Sequence, residues 1–267
     1  MAAAALGLAL AAALLHALWN LLLARQRDTE ATTAVAFACF VLVLLLPALA
    51  TWRVDSTAWP YIAGSGALEL AYIALLATAY RRFELSLVYP LARGLAPVLA
   101  LPLVVVALGQ RPSAGEVAGV LTVAAGILLV RGLRGGRGAA IAVAIAATIA
   151  GYTVVDRYGI RHANVAPYLL LVMLGPALVY PFFVGRPRLR AAVRPVSLAI
   201  GAASAATYLL VLLALRLASA PSVSAVRESS IVIAVVLART FLGEPVGARR
   251  IAGSALVAAG IGLLAFS

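Results

Sequence analysis

A chain of 267 residues that is 64% hydrophobic and 11% charged, with mean hydropathy +1.08, is not a soluble domain, since those carry about 45–50% apolar and about 25% charged residues. The net charge of +12 does not mark a nucleic-acid binder, because the 21 basic residues, all arginine, stand in small groups between apolar runs, as in the loops of membrane proteins. A spanning helix needs roughly 20 apolar residues, so the lipid bilayer is the solvent and the length leaves room for about ten spans.

The first apolar run, about Ala2–Ala24, ends at Arg25-Gln26-Arg27-Asp28. Its opening, Met1 to Ala13, is Ala/Leu-rich like a signal peptide but lacks a positively charged leader, and the run continues too far for one. It therefore reads as the first span. The second covers about Thr32–Thr51 and holds Cys39, the single cysteine. Intrachain disulfides and paired-cysteine zinc sites are excluded, and a small buried apolar role suits this residue. Trp52, Trp59 and Tyr61 flank the next connection and read as anchors at the headgroup level. The third span is about Pro60–Tyr80, the fourth Glu84–Leu108 and the fifth Ala114–Val130. An Arg/Gly linker, Arg131 to Gly138, then divides the chain near its middle. Spans six to ten cover about Ala139–Tyr158, Val165–Val184, Pro195–Leu217, Pro221–Leu242 and Ala248–Phe266. The expected fold class is an all-α integral membrane bundle of ten transmembrane helices. Five lie in residues 1–132 and five in 139–267, around the linker 133–138.

The connections after the odd-numbered spans hold thirteen arginines and the opposite side five; Arg93, Arg227 and Arg239 fall inside spans. The excess of arginine marks the cytoplasmic side, which places both termini outside the cytoplasm. With so much alanine and no lysine, the chain suggests a GC-rich coding genome, and a bacterial inner membrane is the expected location.

Residues 93–127 repeat in residues 227–261 without a gap, at an offset of 134 positions. Arg93 meets Arg227, Leu108-Gly109-Gln110 meets Leu242-Gly243-Glu244, Ala118-Gly119 meets Ala252-Gly253, and Val123 to Ile127 meet Val257 to Ile261. With five spans in each half, the second half enters the membrane the opposite way from the first. Inverted repeats are a recurrent plan of secondary transporters, with the substrate site between the halves near the midplane. Gly115, Gly119, Gly126, Gly253 and Gly260 follow small-residue spacing, which lets helix backbones approach closely in lipid.

Three segments carry a family resemblance. They are His16-Ala17-Leu18-Trp19-Asn20, Tyr89-Pro90-Leu91-Ala92-Arg93-Gly94-Leu95-Ala96-Pro97, and Leu108-Gly109-Gln110 through Gly126 with its echo at Leu242-Gly243-Glu244-Pro245. In this order and with this repeat, the chain resembles the EamA-type branch of the drug/metabolite transporter superfamily. The resemblance implies two inverted five-helix repeats around a central cavity lined by spans 1, 3, 4, 6, 8 and 9. It implies export or exchange of small metabolites such as amino acids. The second half departs from the pattern, with Ser224, Glu228 and Ile231 where Pro90, Gly94 and Pro97 would recur, so the halves are not expected to contribute equally.

Ionisable residues deep in a span are costly and face a cavity or a partner. His16, Glu69, Arg93, Asp156, Arg227, Glu228 and Arg239 qualify. Arg93 and Arg227 are repeat-related. A guanidinium makes forked bonds to a carboxylate, so the pair is either a clamp for an acidic or zwitterionic substrate or half of an internal salt bridge to Glu69 or Glu228. Ser86, Tyr89, Arg93 and Pro97 share a face, and Pro90 and Pro97 can free backbone carbonyls toward it. Glu69, one turn from Tyr72, is either a proton carrier or a fixed partner for an arginine. Glu228 poses the same choice, but as a helical neighbour of Arg227 it is expected to point about 100° away. His16 is a proton-linked group or a structural one. It shares its face with Trp19, a stacking or packing residue, and with Asn20, an expected interhelical hydrogen-bond donor. Asp156, on the face of Tyr152, is expected to be neutralised by Arg157 and Arg161. Arg239 reads as a snorkelling residue.

The substrate-binding candidates are Arg93, Tyr89, Arg227, Trp19, Asn20 and Tyr72. The proton-coupling candidates are Glu69, His16 and Glu228. No phosphate-binding loop occurs, nor a lysine to build one, nor a metal-binding signature, so neither cofactor nor metal is expected. The leading expectation is a secondary transporter of a small polar or amphiphilic metabolite, coupled to protons or exchange, working as a monomer or homodimer. A lipid-linked sugar or headgroup translocator of the same fold is the alternative. A membrane-embedded enzyme using Glu69, His16 and Asp156 is the weaker one, since no nucleophile accompanies them.

Overall fold

A computed structural model describes residues 1–82, 85–131, 138–233, 236 and 247–266. These residues form α1 (Ala3–Ala24), α2 (Thr29–Ala50), α3 (Trp59–Arg82), α4 (Leu85–Leu108), α5 (Ala114–Arg131), α6 (Ala139–His162), α7 (Val165–Val179), α8 (Arg186–Ala192), α9 (Pro195–Leu217), α10 (Ala220–Arg227) and α11 (Ala248–Phe266). Residues 229–233 are again helical. Among the described residues there is no strand, only an isolated antiparallel bridge between Val54 and Ala163.

Local chemistry sets the helix ends. Asp28 caps α2 by accepting the Ala31 N–H at 3.0 Å, and the Ser113 hydroxyl accepts the Glu116 N–H at 3.0 Å ahead of α5. Pro195 and Pro221 sit in first turns, where the missing N–H costs nothing. α4 stops at Gly109, whose φ of 58° lets its N–H turn back to the Val105 carbonyl at 2.9 Å. Glycine takes this left-handed conformation without Cβ strain.

α1, α2, α6, α7 with its 3₁₀ extension to Phe183, α9 and α11 are long and apolar enough to cross a membrane. α4 and α5 add shorter apolar stretches, Leu91–Ala107 and Ala114–Val130. Among the described residues, length and composition thus mark six crossings. α3 carries Glu69 within it, and α10 is only eight residues long and stops at Arg227. Large apolar side chains stand outward, Leu46 77%, Val106 85% and Phe182 87% exposed, a surface that lipid rather than water solvates. The chain is a multi-pass membrane protein.

Two elements differ from expectation. The arginine-rich connection after α7 folds into α8, which opens with Pro187 in its first turn after Gly185 at φ 85°. The expected ninth span breaks at Glu228. Its N–H bonds to the Ala225 carbonyl, and its carbonyl takes the Ile231 N–H, both i to i+3. Such tightening interrupts the α-helical ladder. Residues 132–137 of the linker, Arg239 and the echo Leu242-Gly243-Glu244-Pro245 lie outside the described residues.

The packing follows the repeat. A shift of 134 positions carries α1 onto α6 and α3 onto α9. α1 lies along α9, and α3 lies along α6. α5 and α11, themselves repeat-related, pack antiparallel through glycine. A Cβ at Gly126 would meet the Gly253 carbonyl oxygen at 2.7 Å, and one at Gly260 would meet the Gly119 carbonyl oxygen at 2.8 Å. The contact is reciprocal, each helix offering the other the same two positions.

Candidate functional site

Among the described residues, the buried charged side chains are Arg93, Arg227, Glu69, Asp156 and Glu228. They come from α3, α4, α6 and the α10 break, and they form two linked groups.

The first group is built on repeat symmetry. Arg93 Nε lies 2.9 Å from Glu228 Oε2, with the two side chains 5% and 0% exposed. Arg227 Nε lies 3.8 Å from Glu228 Oε1. Two repeat-related guanidiniums therefore bracket one carboxylate contributed by the second half. The turn at Glu228 brings it into the space of Arg227, because the 100° separation of helical neighbours does not hold where the helix breaks. Arg227 Nε and Nη2 are buried with no hydrogen-bond partner among the described residues, and the Tyr152 hydroxyl stands against this guanidinium. Arg93 Nη2 also meets His16 Nε2 at 3.3 Å. A guanidinium only donates, so Nε2 accepts and the imidazole is neutral with its hydrogen on Nδ1.

The second group joins α3 to α6, α7 and α9. Asp156 Oδ1 accepts the Ser65 hydroxyl at 2.5 Å and the Tyr168 hydroxyl at 2.9 Å. The Tyr208 oxygen lies 2.7 Å from Asp156 Oδ2 and 3.0 Å from Glu69 Oε1. Of the two readings for Glu69, the arginine partner is not what it meets here: its carboxyl lies against a tyrosine hydroxyl shared with a second carboxyl. Asp156 is held by three hydroxyls and not by Arg157 or Arg161. Arg157 donates to the Leu215 and Ala218 carbonyls at the end of α9, and Arg161 lies 4.7 Å over the Tyr158 ring.

The other candidates fall around these groups. Trp19 meets His16 edge-on at 4.9 Å, with its Nε1 buried and without a hydrogen-bond partner among the described residues. Asn20 Nδ2 donates to the His16 carbonyl of its own helix at 2.8 Å; the intrahelical acceptor four residues back wins over a partner on another helix. Tyr72 packs against Tyr152, and Tyr152 against Tyr208, each pair of centroids 6.3 Å apart. Tyr89 lies in α4, and its side chain is outside the described ones. Tyr208, Tyr168 and Ser65 carry no signal in the sequence beyond being polar groups in apolar runs.

The ends of the bundle are also charged. A cavity of about 450 Å³, lined by Arg53, Arg157, Arg161, Arg216 and Asn164, opens beside the ends of α6 and α9. At the other end Arg188 on α8 forks onto Asp28, with Nε and Nη2 each 2.8 Å from a carboxylate oxygen, and Nη2 also reaches Glu30 at 2.8 Å. The Arg188 bonds to Asp28, and after them the bond from the Ala31 N–H, pull the Asp28 carboxyl down to about 2.

Comparison with known proteins gives one family and one fold. No curated protein matches the chain. A solved structure, described only as the crystal structure of a protein, superposes with a TM-score of 0.75 at 18% identity, over 100% of this chain and 98% of that one. At that identity the likeness concerns the fold alone. Residues 3–132 and 136–266 match the EamA-like transporter family, which gives the repeat at offset 134 its family counterpart, one match to each half. The chain belongs to the EamA-like transporter family.

Proposed function

We propose that this chain is a secondary active transporter that moves a small polar or amphiphilic metabolite, such as an amino acid, by alternating access across a bacterial cytoplasmic membrane, as an exporter or exchanger. The observation that carries this reading is Arg227. Its guanidinium is 6% exposed, and two of its nitrogens have no hydrogen-bond partner among the described residues. Leaving buried donors unfilled is costly, and a carboxylate fills a guanidinium fork. A carboxylate of the substrate entering there would share Arg227 with Glu228 at the meeting of the two halves.

The reciprocal glycine contact of α5 and α11 supports reading the halves as inverted repeats. Two equivalent helices packed antiparallel are related by an axis across them, the arrangement in which two halves exchange roles as inner and outer gates. The arginine-lined cavity supports an anionic or zwitterionic substrate, since a mouth of one charge sign concentrates its counter-ion. The sequence holds no ATP-binding loop, so an ion gradient or exchange supplies the driving force.

The test is a thermal-shift screen of the detergent-purified protein with amino acids, organic acids, nucleosides and cationic drugs, followed by flux of the hits in proteoliposomes. A carboxylate compound should stabilise the wild type and move across the bilayer. Arg227→Gln should bind it about 10–100-fold more weakly, as for loss of a charged hydrogen bond worth about 1.5–3 kcal/mol. Equal stabilisation of both proteins makes Arg227 structural. Hits that bind but never cross defeat the transport reading.

A further inference from the structure

Tyr208 has one hydroxyl hydrogen, yet its oxygen lies within hydrogen-bond distance of two carboxyls, 2.7 Å from Asp156 and 3.0 Å from Glu69. An ionised carboxylate only accepts. Tyr208 can give its hydrogen to one carboxyl; the other must hold a proton and donate it to the phenol oxygen. Asp156 already receives hydrogens from Ser65 and Tyr168, so in this geometry Asp156 is the acceptor and Glu69 the protonated group.

Charge gives the same answer independently. The buried charged groups among the described residues are two guanidiniums and three carboxyls, and His16 is neutral because its Nε2 accepts from Arg93. With every carboxyl ionised the buried set carries one net negative charge in a lipid-surrounded core. One proton brings it to zero. Glu228 is the carboxylate that both arginines face, so the proton belongs to the other two. The titratable groups facing the pair are Tyr152 on α6, Tyr168 on α7, Tyr208 on α9 and Arg227 on α10. On α4 Arg93 turns to Glu228, and on α1 His16 turns to Arg93.

The pair also spans the two halves. Glu69 and Ser65 belong to the first, Asp156, Tyr168 and Tyr208 to the second. Moving each by the repeat offset of 134 gives Ala203 and Ala199, and Leu22, Ala34 and Ala74. The equivalent positions around the seam of α1 and α9, on α1, α2, α3 and α9, are therefore all apolar. The fold closes such a seam without carboxyls, so the cluster at α3, α6 and α9 serves something else. From this we infer that Glu69 and Asp156 share a single proton through Tyr208, and that this proton latches the seam between the halves at α3, α6 and α9. With it, hydrogen bonds run unbroken from α3 through α9 to α6. Without it, two carboxylates face each other across the seam around one hydrogen, the bond from Tyr208 to Glu69 is lost, and the seam is held by Ser65 to Asp156 alone, poised to open. The proton is then the coupling ion, a role that rests on the transporter reading, whereas the shared site does not.

The experiment is infrared spectroscopy of the full-length protein in nanodiscs at neutral pH, with no substrate added. A protonated-carboxyl stretch that shifts in D₂O should be present in the wild type and titrate away as pH rises. The isosteric variants Glu69→Gln and Asp156→Asn should each abolish it, since either leaves one carboxyl that takes the Tyr208 hydrogen while ionised. Persistence of the band in Asp156→Asn makes the proton the property of Glu69 alone and overturns the sharing. Absence of the band in the wild type overturns the proton. Because substrate is absent, failure of the Arg227 site leaves this readout unchanged.

Discussion

Arg93 and Glu228 touch across the two halves of the chain, Nε to Oε2 at 2.9 Å, and Arg227 faces the same carboxylate from 3.8 Å. Removing one partner of a buried ion pair strands the other charge, at about 3–5 kcal/mol. The two removals are not equivalent here. Arg93→Gln leaves Glu228 with Arg227, whereas Glu228→Gln leaves two guanidiniums without their shared anion. Thermal unfolding in detergent should show Glu228→Gln as the more destabilised variant. Equal losses would mean that Arg227 does not compensate.

The α5–α11 seam should be intolerant of a single methyl group. A Cβ at Gly126, Gly253 or Gly260 would lie 2.6–2.8 Å from backbone atoms of the facing helix, and backbone cannot swing aside as a side-chain tip can. Gly126→Ala and Gly253→Ala should each cost about 1–3 kcal/mol, the range for overpacking a well-fitted contact. Gly7→Ala is the control. Nothing lies within 4 Å of a Cβ there, so this helical substitution should be neutral or stabilise by about 0.5–1 kcal/mol. Melting temperatures of the three variants against wild type decide it. Loss in Gly7→Ala equal to the others would remove the seam from the explanation.

Asp28 links the start of α2 to α8 through Arg188. Its carboxyl sits at about 2 instead of the ordinary 3.8. A lowered value means the folded state binds the proton less tightly than the unfolded chain. The contribution is therefore complete above the ordinary value and is lost as pH falls toward about 2. Both groups are largely exposed, 46% and 38%, so solvent and salt screen the pair and the effect is small. Differential melting between pH 6 and pH 3 should shrink in Arg188→Gln, and added salt should shrink it further in the wild type.

Much of the fold is written locally. Apart from the ninth run, which breaks at Glu228, hydrophobic runs match helix ends within a few residues because the membrane thickness fixes run length, and the aligned glycines mark α5 and α11 because close backbone contact needs them. The site was legible only where a charge stands alone in an apolar run. Arg93, Arg227, Glu69 and Glu228 announce themselves in that way. Their partners do not. Tyr208 reaches Glu69 and Asp156 from α9, and Ser65 reaches Asp156 from α3; these pairings are set by how helices lie together, not by spacing along any one of them. Arg157 shows the converse. It follows Asp156 in sequence, yet its guanidinium serves the orphan carbonyls that end α9, where a helix terminus lacks intrahelical donors. Glu228 faces Arg227 against the helical spacing of neighbours because the ladder tightens at this position.

The arginine distribution predicts an orientation. The arginines cluster at the α8 end of the bundle, where Arg186, Arg188, Arg190 and Arg194 stand, and such clusters stay on the cytoplasmic side. On that prediction the cavity of Arg53, Arg157, Arg161 and Arg216 is expected to face outward, despite its own charge, because the opposite side carries more. Cys39 is buried and bonds the Leu198 carbonyl at 3.3 Å, so Cys39→Ala gives a background without an exposed thiol. In that background Arg190→Cys should react with a membrane-impermeant maleimide only after the cells are opened. Asp55→Cys, whose native side chain is 47% exposed, should react in intact cells. The reverse pattern would turn the protein over in the membrane and place the arginine-lined cavity at the cytoplasmic entrance, where it would gather anionic metabolites for export.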